Sequence, residues 1–255
     1  MNNAMLIIAI VLHLIALVSE LTGKKRTGTI FFIIASCIPM AVFTKEWMHS
    51  GQAPLSSMHH VTIALAGCLL PVYAAVVWGR GLHWTKTYFP IAGIVPLVAA
   101  TFIFKSESVW HLAPALQSAW FVPHVIAYMT SYAMAFVAFI FLITSAFKKS
   151  EDDAKFLTEG SYELLSLAMP LMTFGLMSGA LWANGIWGRY WSWDQKETWS
   201  LITWFLYLTY FHCRKHGKLR KYENIAHAFA FAALLSTFVL VNILPKLASK
   251  LHSYV

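Results

Sequence analysis

The chain has 255 residues, 58% of them hydrophobic and only 12% charged, with a mean hydropathy of +0.61 and a formal net charge of +8. A soluble domain of this size carries far more charge, so the composition excludes a soluble globular protein and indicates an all-α integral membrane protein. Cys37, Cys68 and Cys213 are isolated from one another, which argues against a C-x-x-C thiol relay, a cysteine zinc site or a c-type haem attachment motif in the chain itself.

A hydrocarbon layer about 30 Å thick is spanned by roughly 20 apolar residues. Taken in chain order, apolar segments lie near residues 4–21, 28–44, 60–79, 89–104, 123–147, 161–183, 199–213 and 222–244, which predicts about eight transmembrane helices in a single membrane domain over 1–255. The fourth and seventh are short. No basic residue precedes the apolar run of MNNAMLIIAIVLHLIALVSE and no small-residue cleavage pattern follows it, so the first segment is expected to remain as a helix.

Lys and Arg are distributed unevenly among the connectors. The loops GKKR, GRGLHWTK, KKSEDDAK and CRKHGKLRK share one side and hold thirteen, against six on the other. Basic loops are retained in the cytoplasm, so both termini are expected outside. The positive charge is then a topology signal, and nothing in the chain reads as a nucleic-acid module. The longest outward connectors are 45–59, 105–122, 184–198 and the tail 245–255.

Eleven histidines are many for a chain so poor in charge, and an ionisable group within a membrane is costly enough to mark a candidate site. His124 opens the fifth segment at its outward end, with Tyr128 and Tyr132 at four-residue spacing on the same helical face. His252 lies in the outward tail. Each alone reads as an interfacial residue, but together they flank the connector 184–198, and imidazoles from two directions suit a six-coordinate haem iron. His212 sits near the inner end of the seventh segment beside Arg214 and Lys215, where snorkelling is the simpler reading. His13 and His227 lie deeper and are expected to hydrogen-bond neighbouring helices. His49, His59, His60, His83, His111 and His216 fall at loops or helix ends.

Six of the eleven tryptophans fall between Trp182 and Trp204. In WANGIWGRYWSWDQKETW, Asp194 and Glu197 have the spacing of a capping box that starts the seventh helix. An interfacial aromatic belt would spread tryptophan over many helix ends. Here Trp187, Trp191 and Trp193 share one connector with Gly185 and Gly188, an arrangement that favours a surface for a flat cofactor. Arg189 and Lys196 are either solvated cations or partners for two carboxylates, Arg189 through a bidentate pair.

WGRYWSWDQKETW resembles the WWD signature of haem-handling membrane proteins. Its surroundings resemble the CcsA (ResC) subunits of System II cytochrome c synthases, through LAPALQSAWFVPHV (112–125), the block 161–214 and the terminal LHSY (251–254). The likeness covers most of residues 112–255, and only PLSSMHH carries it earlier. It implies that His124 and His252 are axial ligands of haem b on the external face, with the 184–198 loop, including Trp187, Arg189, Trp191, Trp193 and Asp194, presenting the ring. It also implies that His212 holds haem within the membrane together with a histidine of a CcsB/ResB-type partner, giving up to two haem sites. The implied activity is that of a cytochrome c haem lyase subunit, incomplete without its partner, which joins haem to the C-x-x-C-H motif of an apocytochrome c. The implied location is a bacterial cytoplasmic membrane, or an equivalent energy-transducing membrane, with the WWD loop on the external side. One departure is Gln195, where the family commonly has proline. A haem chaperone of the CcmC type and a regulatory protein of the HemX type are the alternatives.

Overall fold

A computed structural model describes residues 2–104 and 112–240. The expected tail position His252 and the histidine at 111 lie outside the described residues. The described residues are overwhelmingly helical, and each of the eight predicted segments is helical over its described residues.

The first 117 residues form one compact unit and residues 118 onward a second. In the first, α1 (Asn2–Leu21) and α2 (Lys25–Ser50) are joined by a turn at Gly23 and pack along each other. α3 (Met58–Tyr73) continues as a π-helical turn to Gly79, and α4 (Tyr88–Val98) continues as another to Ile103. Their core is a set of small and branched side chains, Leu6, Ala9, Val42, Ile63, Ala66, Leu97 and Ala100, all almost fully buried. In the second unit, α5 (Phe121–Ala146) packs along α6 (Glu151–Trp187), and α7 (Gln195–Lys215) packs along α8 (Glu223–Leu235), which ends in a π-helical turn to Leu240.

Two of these elements depart from expectation in a way that bears on the site. α6 is 37 residues long rather than 23, because it begins ten residues earlier at Glu151. Ser150 caps it by accepting from the Asp153 amide, and Glu151, Asp152 and Asp153 sit where the helix dipole favours acid. At its other end it runs on to Trp187 and stops at Gly188, whose φ of 69° only glycine adopts without strain. Trp187 and Gly185 are therefore helical, and the true loop is only Gly188–Asp194.

Six helices are long and apolar enough to cross a membrane: 2–21, 25–50, 58–79, 83–103, 121–146 and 151–187. The chain is thus a membrane protein. α7 falls outside that set, being less apolar because it carries charged ends and a buried polar face. α8 is described only as far as Leu240.

Candidate functional site

α5 and α6 approach closely at two glycines. A Cβ added at Gly179 would lie 2.6 Å from Cε1 and 2.7 Å from Nδ1 of His124, and one at Gly175 would lie 2.9 Å from the Tyr128 ring. The glycines, one turn apart on α6, are the recess into which His124 and Tyr128 of α5 fit. His124 Nδ1 is 2.8 Å from the Gly175 carbonyl oxygen. A carbonyl only accepts, so Nδ1 carries the proton and Nε2 is the ring nitrogen with the lone pair in the neutral imidazole. Metal-binding histidines are oriented in the same way, by a carbonyl or carboxylate on the second nitrogen.

Aromatic rings pack around His124. Its imidazole stacks on Trp182 with centroids 5.8 Å apart and planes at 30°, and it meets Tyr128 edge-on at 5.1 Å. Tyr128 in turn contacts Tyr132 at 5.4 Å, as the four-residue spacing predicts. Trp182, fully buried, continues the cluster to Trp187, 5.0 Å away in a T-shaped pair. Sequence reasoning gave Trp182, Gly175 and Gly179 no role. A G-x-x-x-G at 175–179 on an apolar helix was the available signal for a close helix approach.

The loop itself is organised by Glu197. The capping box at Asp194 and Glu197 forms as expected: the Glu197 amide donates to Asp194 Oδ1 at 2.8 Å, and the Asp194 amide donates back to Glu197 Oε2. The carboxylate does more than cap, because it also accepts from the Ser192 amide at 2.7 Å and from the Ser192 hydroxyl. Glu197 thereby holds the backbone on both sides of Trp193. Trp193 has φ of 59°, the one positive value at a non-glycine residue among the described residues, and its side chain is 69% exposed. A bulky residue in that region is strained by about 1–3 kcal/mol and persists where its surroundings over-determine it.

Trp191 meets Trp193 edge-on, with centroids 5.9 Å apart and planes at 82°. Trp182 with Trp187, at 64°, and Trp191 with Trp193, at 82°, thus form two edge-on pairs rather than one flat sheet. The Trp191 indole N–H is buried without an acceptor, as is the Gln195 side-chain oxygen without a donor. Arg189 is exposed on the loop. Lys196 is half-buried beside Asp194, and burial pulls its ammonium down to about 7 against the opposing pull of that carboxylate.

The remaining histidines separate clearly. His212 is exposed near the far end of α7, with its ring 4.1 Å from that of His216. His13 is buried, donates from Nδ1 to the Ala9 carbonyl at 2.8 Å, and lies 3.5 Å from Ser36 Oγ of α2, the structural role expected of it. His59 and His60 differ from the expectation of peripheral residues. Both are 1% exposed in the first turn of α3, with His59 Nδ1 on the Ala100 carbonyl and His60 beside Glu46 and the Ser56 and Ser57 hydroxyls. His227 is equally buried, but its Nε2 has no partner among the described residues, against the expected bond to a neighbouring helix.

The sequence that builds this cluster matches a known family. Residues 53–248 match the family model described as cytochrome C assembly protein. The chain belongs to that family. It is 30% identical to the "Cytochrome c biogenesis protein CcsA" of Mesostigma viride over 263 residues, covering 89% of this chain and 85% of that protein. The protein of the same name from Chlorella vulgaris is 30% identical over 277 residues, with the same coverage. The one from Guillardia theta is 30% identical over 287 residues, covering 94% of this chain and 92% of that protein. The family match takes in the α5–α6 recess, the loop and α7 together.

Proposed function

We propose that the chain acts in cytochrome c biogenesis as the CcsA-type subunit of a haem lyase, presenting haem b on the external face of the membrane to an apocytochrome. The observation that carries this reading is the His124 imidazole, fixed by Gly175 and stacked on Trp182 with Nε2 as its basic nitrogen. A second observation supports it: the buried Trp191 N–H has no acceptor among the described residues, and a propionate would supply one. On this reading all eight helices span the membrane, both termini lie outside, and a CcsB/ResB-type partner completes the synthase. The membrane is a bacterial cytoplasmic membrane or an equivalent energy-transducing one.

In the reaction each cysteine thiol of the C-x-x-C-H motif adds across one haem vinyl group, sulfur to one carbon and hydrogen to the other, with no change in oxidation state. The chain's own contribution is position. His124 and His252 hold the iron from two sides, and Trp191, Trp193, Arg189 and Lys196 receive the ring face and its carboxylates. Asp194 and Glu197 keep the loop in shape. Holding haem in one orientation beside two thiols turns a rare encounter into a near-intramolecular step. His212, exposed on α7, is available to share a second haem with a histidine of the partner.

Co-expression with a ResB-type partner and an apocytochrome reporter tests the reading. Wild type yields covalent haem, whereas a carrier of the CcmC type or a regulator of the HemX type yields none. In the purified complex, a His124→Ala, His252→Ala double variant loses external haem, with recovery on added imidazole, and His212→Ala is depleted earlier in the path. Full haem occupancy in the double variant refutes the assignment.

A further inference from the structure

The buried face of α7 is polar along its whole length. Ser200, Thr203, Tyr207, Tyr210 and Arg214 follow at steps of three and four residues, one helical face over about 21 Å at 1.5 Å per residue. Thr203, Tyr207 and Tyr210 are at most 2% exposed. An apolar interface between lipid-embedded helices needs none of these groups, and each is costly there unless satisfied.

At the far end from the loop, Arg214 joins α7 to α6 and α8 through Glu159 and Glu223, its bond to Glu223 being 2.9 Å. One turn further along, the Tyr210 ring lies 5.6 Å from His227 of α8, and the Tyr207 ring lies 6.1 Å from it. Beyond these, Thr203 Oγ1 is 3.4 Å from Thr237 Oγ1 of α8. At the near end the Ser200 and Tyr128 side chains hydrogen-bond, and Tyr128 touches His124. The column therefore runs from an ion-pair cluster to the proposed iron ligand.

Polar side chains between membrane helices commonly act as hydrogen-bonding glue, and glue is satisfied. The centre of this column is not: His227 Nε2 and Tyr207 Oη, both 1% exposed, have no partner among the described residues. Two unpartnered buried atoms that accept, or donate and accept, are the setting in which internal water binds. Phe139 of α5 meets the His227 ring edge-on, with centroids 6.2 Å apart.

We propose that this column is a proton path through the second unit, with water bridging His227 to Tyr207 and Tyr207 to Thr203. Glu223 is the entry group, since Arg214 keeps its proton. In each step one O–H or N–H bond breaks as the next forms, so a proton taken up at the Glu223 end is released at the Ser200 end and no charge stays inside. Conduction along the column does not depend on the role proposed for His124.

The test uses the purified full chain, without haem, in phosphatidylcholine and phosphatidylglycerol vesicles with a trapped pH dye and a valinomycin-clamped potassium gradient. Wild type is expected to pass protons faster than protein-free vesicles. His227→Phe and Tyr207→Phe are each expected to fall to the protein-free rate. Both replacements keep an aromatic ring of similar size in place, so the fold is expected to hold, and a thermal melt checks it. Wild-type flux equal to that of empty vesicles overturns the proposal, and so does undiminished flux in a folded His227→Phe. Neither result bears on haem occupancy of the His124 and His252 variants, so the two readings fail separately.

Discussion

Gly179→Ala changes no ligand, yet it is expected to remove haem from the proposed external site. The added Cβ would sit 2.6 Å from His124 Cε1 and 2.7 Å from Nδ1. Carbon contacts settle near 3.5–4.0 Å, so the imidazole must retreat by about 1 Å. The recess is closed on its other sides by Trp182 and Tyr128, and the retreat stretches the 2.8 Å bond to the Gly175 carbonyl. Losing a partner that orients a metal-binding histidine costs about 10–100-fold in affinity. Overpacking a tight helix contact costs about 1–3 kcal/mol of stability. The assay is the reduced absorption spectrum of the complex purified with its partner, with and without added imidazole, beside a thermal melt. Gly185→Ala is the control on the same helix: nothing lies within 4 Å of its Cβ, and alanine gains about 0.5–1 kcal/mol over glycine in a helix. Wild-type haem content in Gly179→Ala, or an equal loss in Gly185→Ala, refutes the argument that the recess positions the ligand.

Two further predictions concern the loop. In the haem-free protein Lys196 titrates near 7 because burial disfavours its charge, and a propionate beside it raises that value. Haem affinity is then constant below about pH 7 and falls as pH rises from there to the higher bound value, by up to about tenfold per unit. Lys196→Met flattens the profile, and an unchanged slope in this variant, measured by haem titration, removes the lysine from the site. Trp193→Gly releases a backbone held at φ 59°, so the melt is expected to rise by up to about 1–3 kcal/mol equivalent. Haem binding is expected to weaken with the loss of the exposed ring, and tighter binding argues against Trp193 as part of the surface.

Sequence alone established the membrane class, the all-helical fold and the capping box at Asp194 and Glu197, because each is written in local pattern: runs of apolar residues, turn chemistry and side chains three apart; of the eight spans expected, six are long and apolar enough to cross a membrane among the described residues. The likeness of the WWD segment to a haem-handling family was legible for the same reason, being carried by contiguous residues. Boundaries were less so, since the polar first turns of α6 are helical by capping and packing rather than by hydropathy.

What only the tertiary structure decided were relations between residues distant along the chain. His124 was a helix-end histidine until Gly175 and Gly179, some fifty residues away, gave it a recess and a carbonyl. Glu197 was a cap until its carboxylate reached across to Ser192 and fixed the backbone around Trp193. His59 and His60 were loop-end residues until the chain buried them, and His227 was expected to find a partner that the bundle withholds. Composition and periodicity report the average environment of a segment. The protonated nitrogen of an imidazole, the strain in a loop and the satisfaction of a buried atom are set by contacts that exist only once the helices are packed.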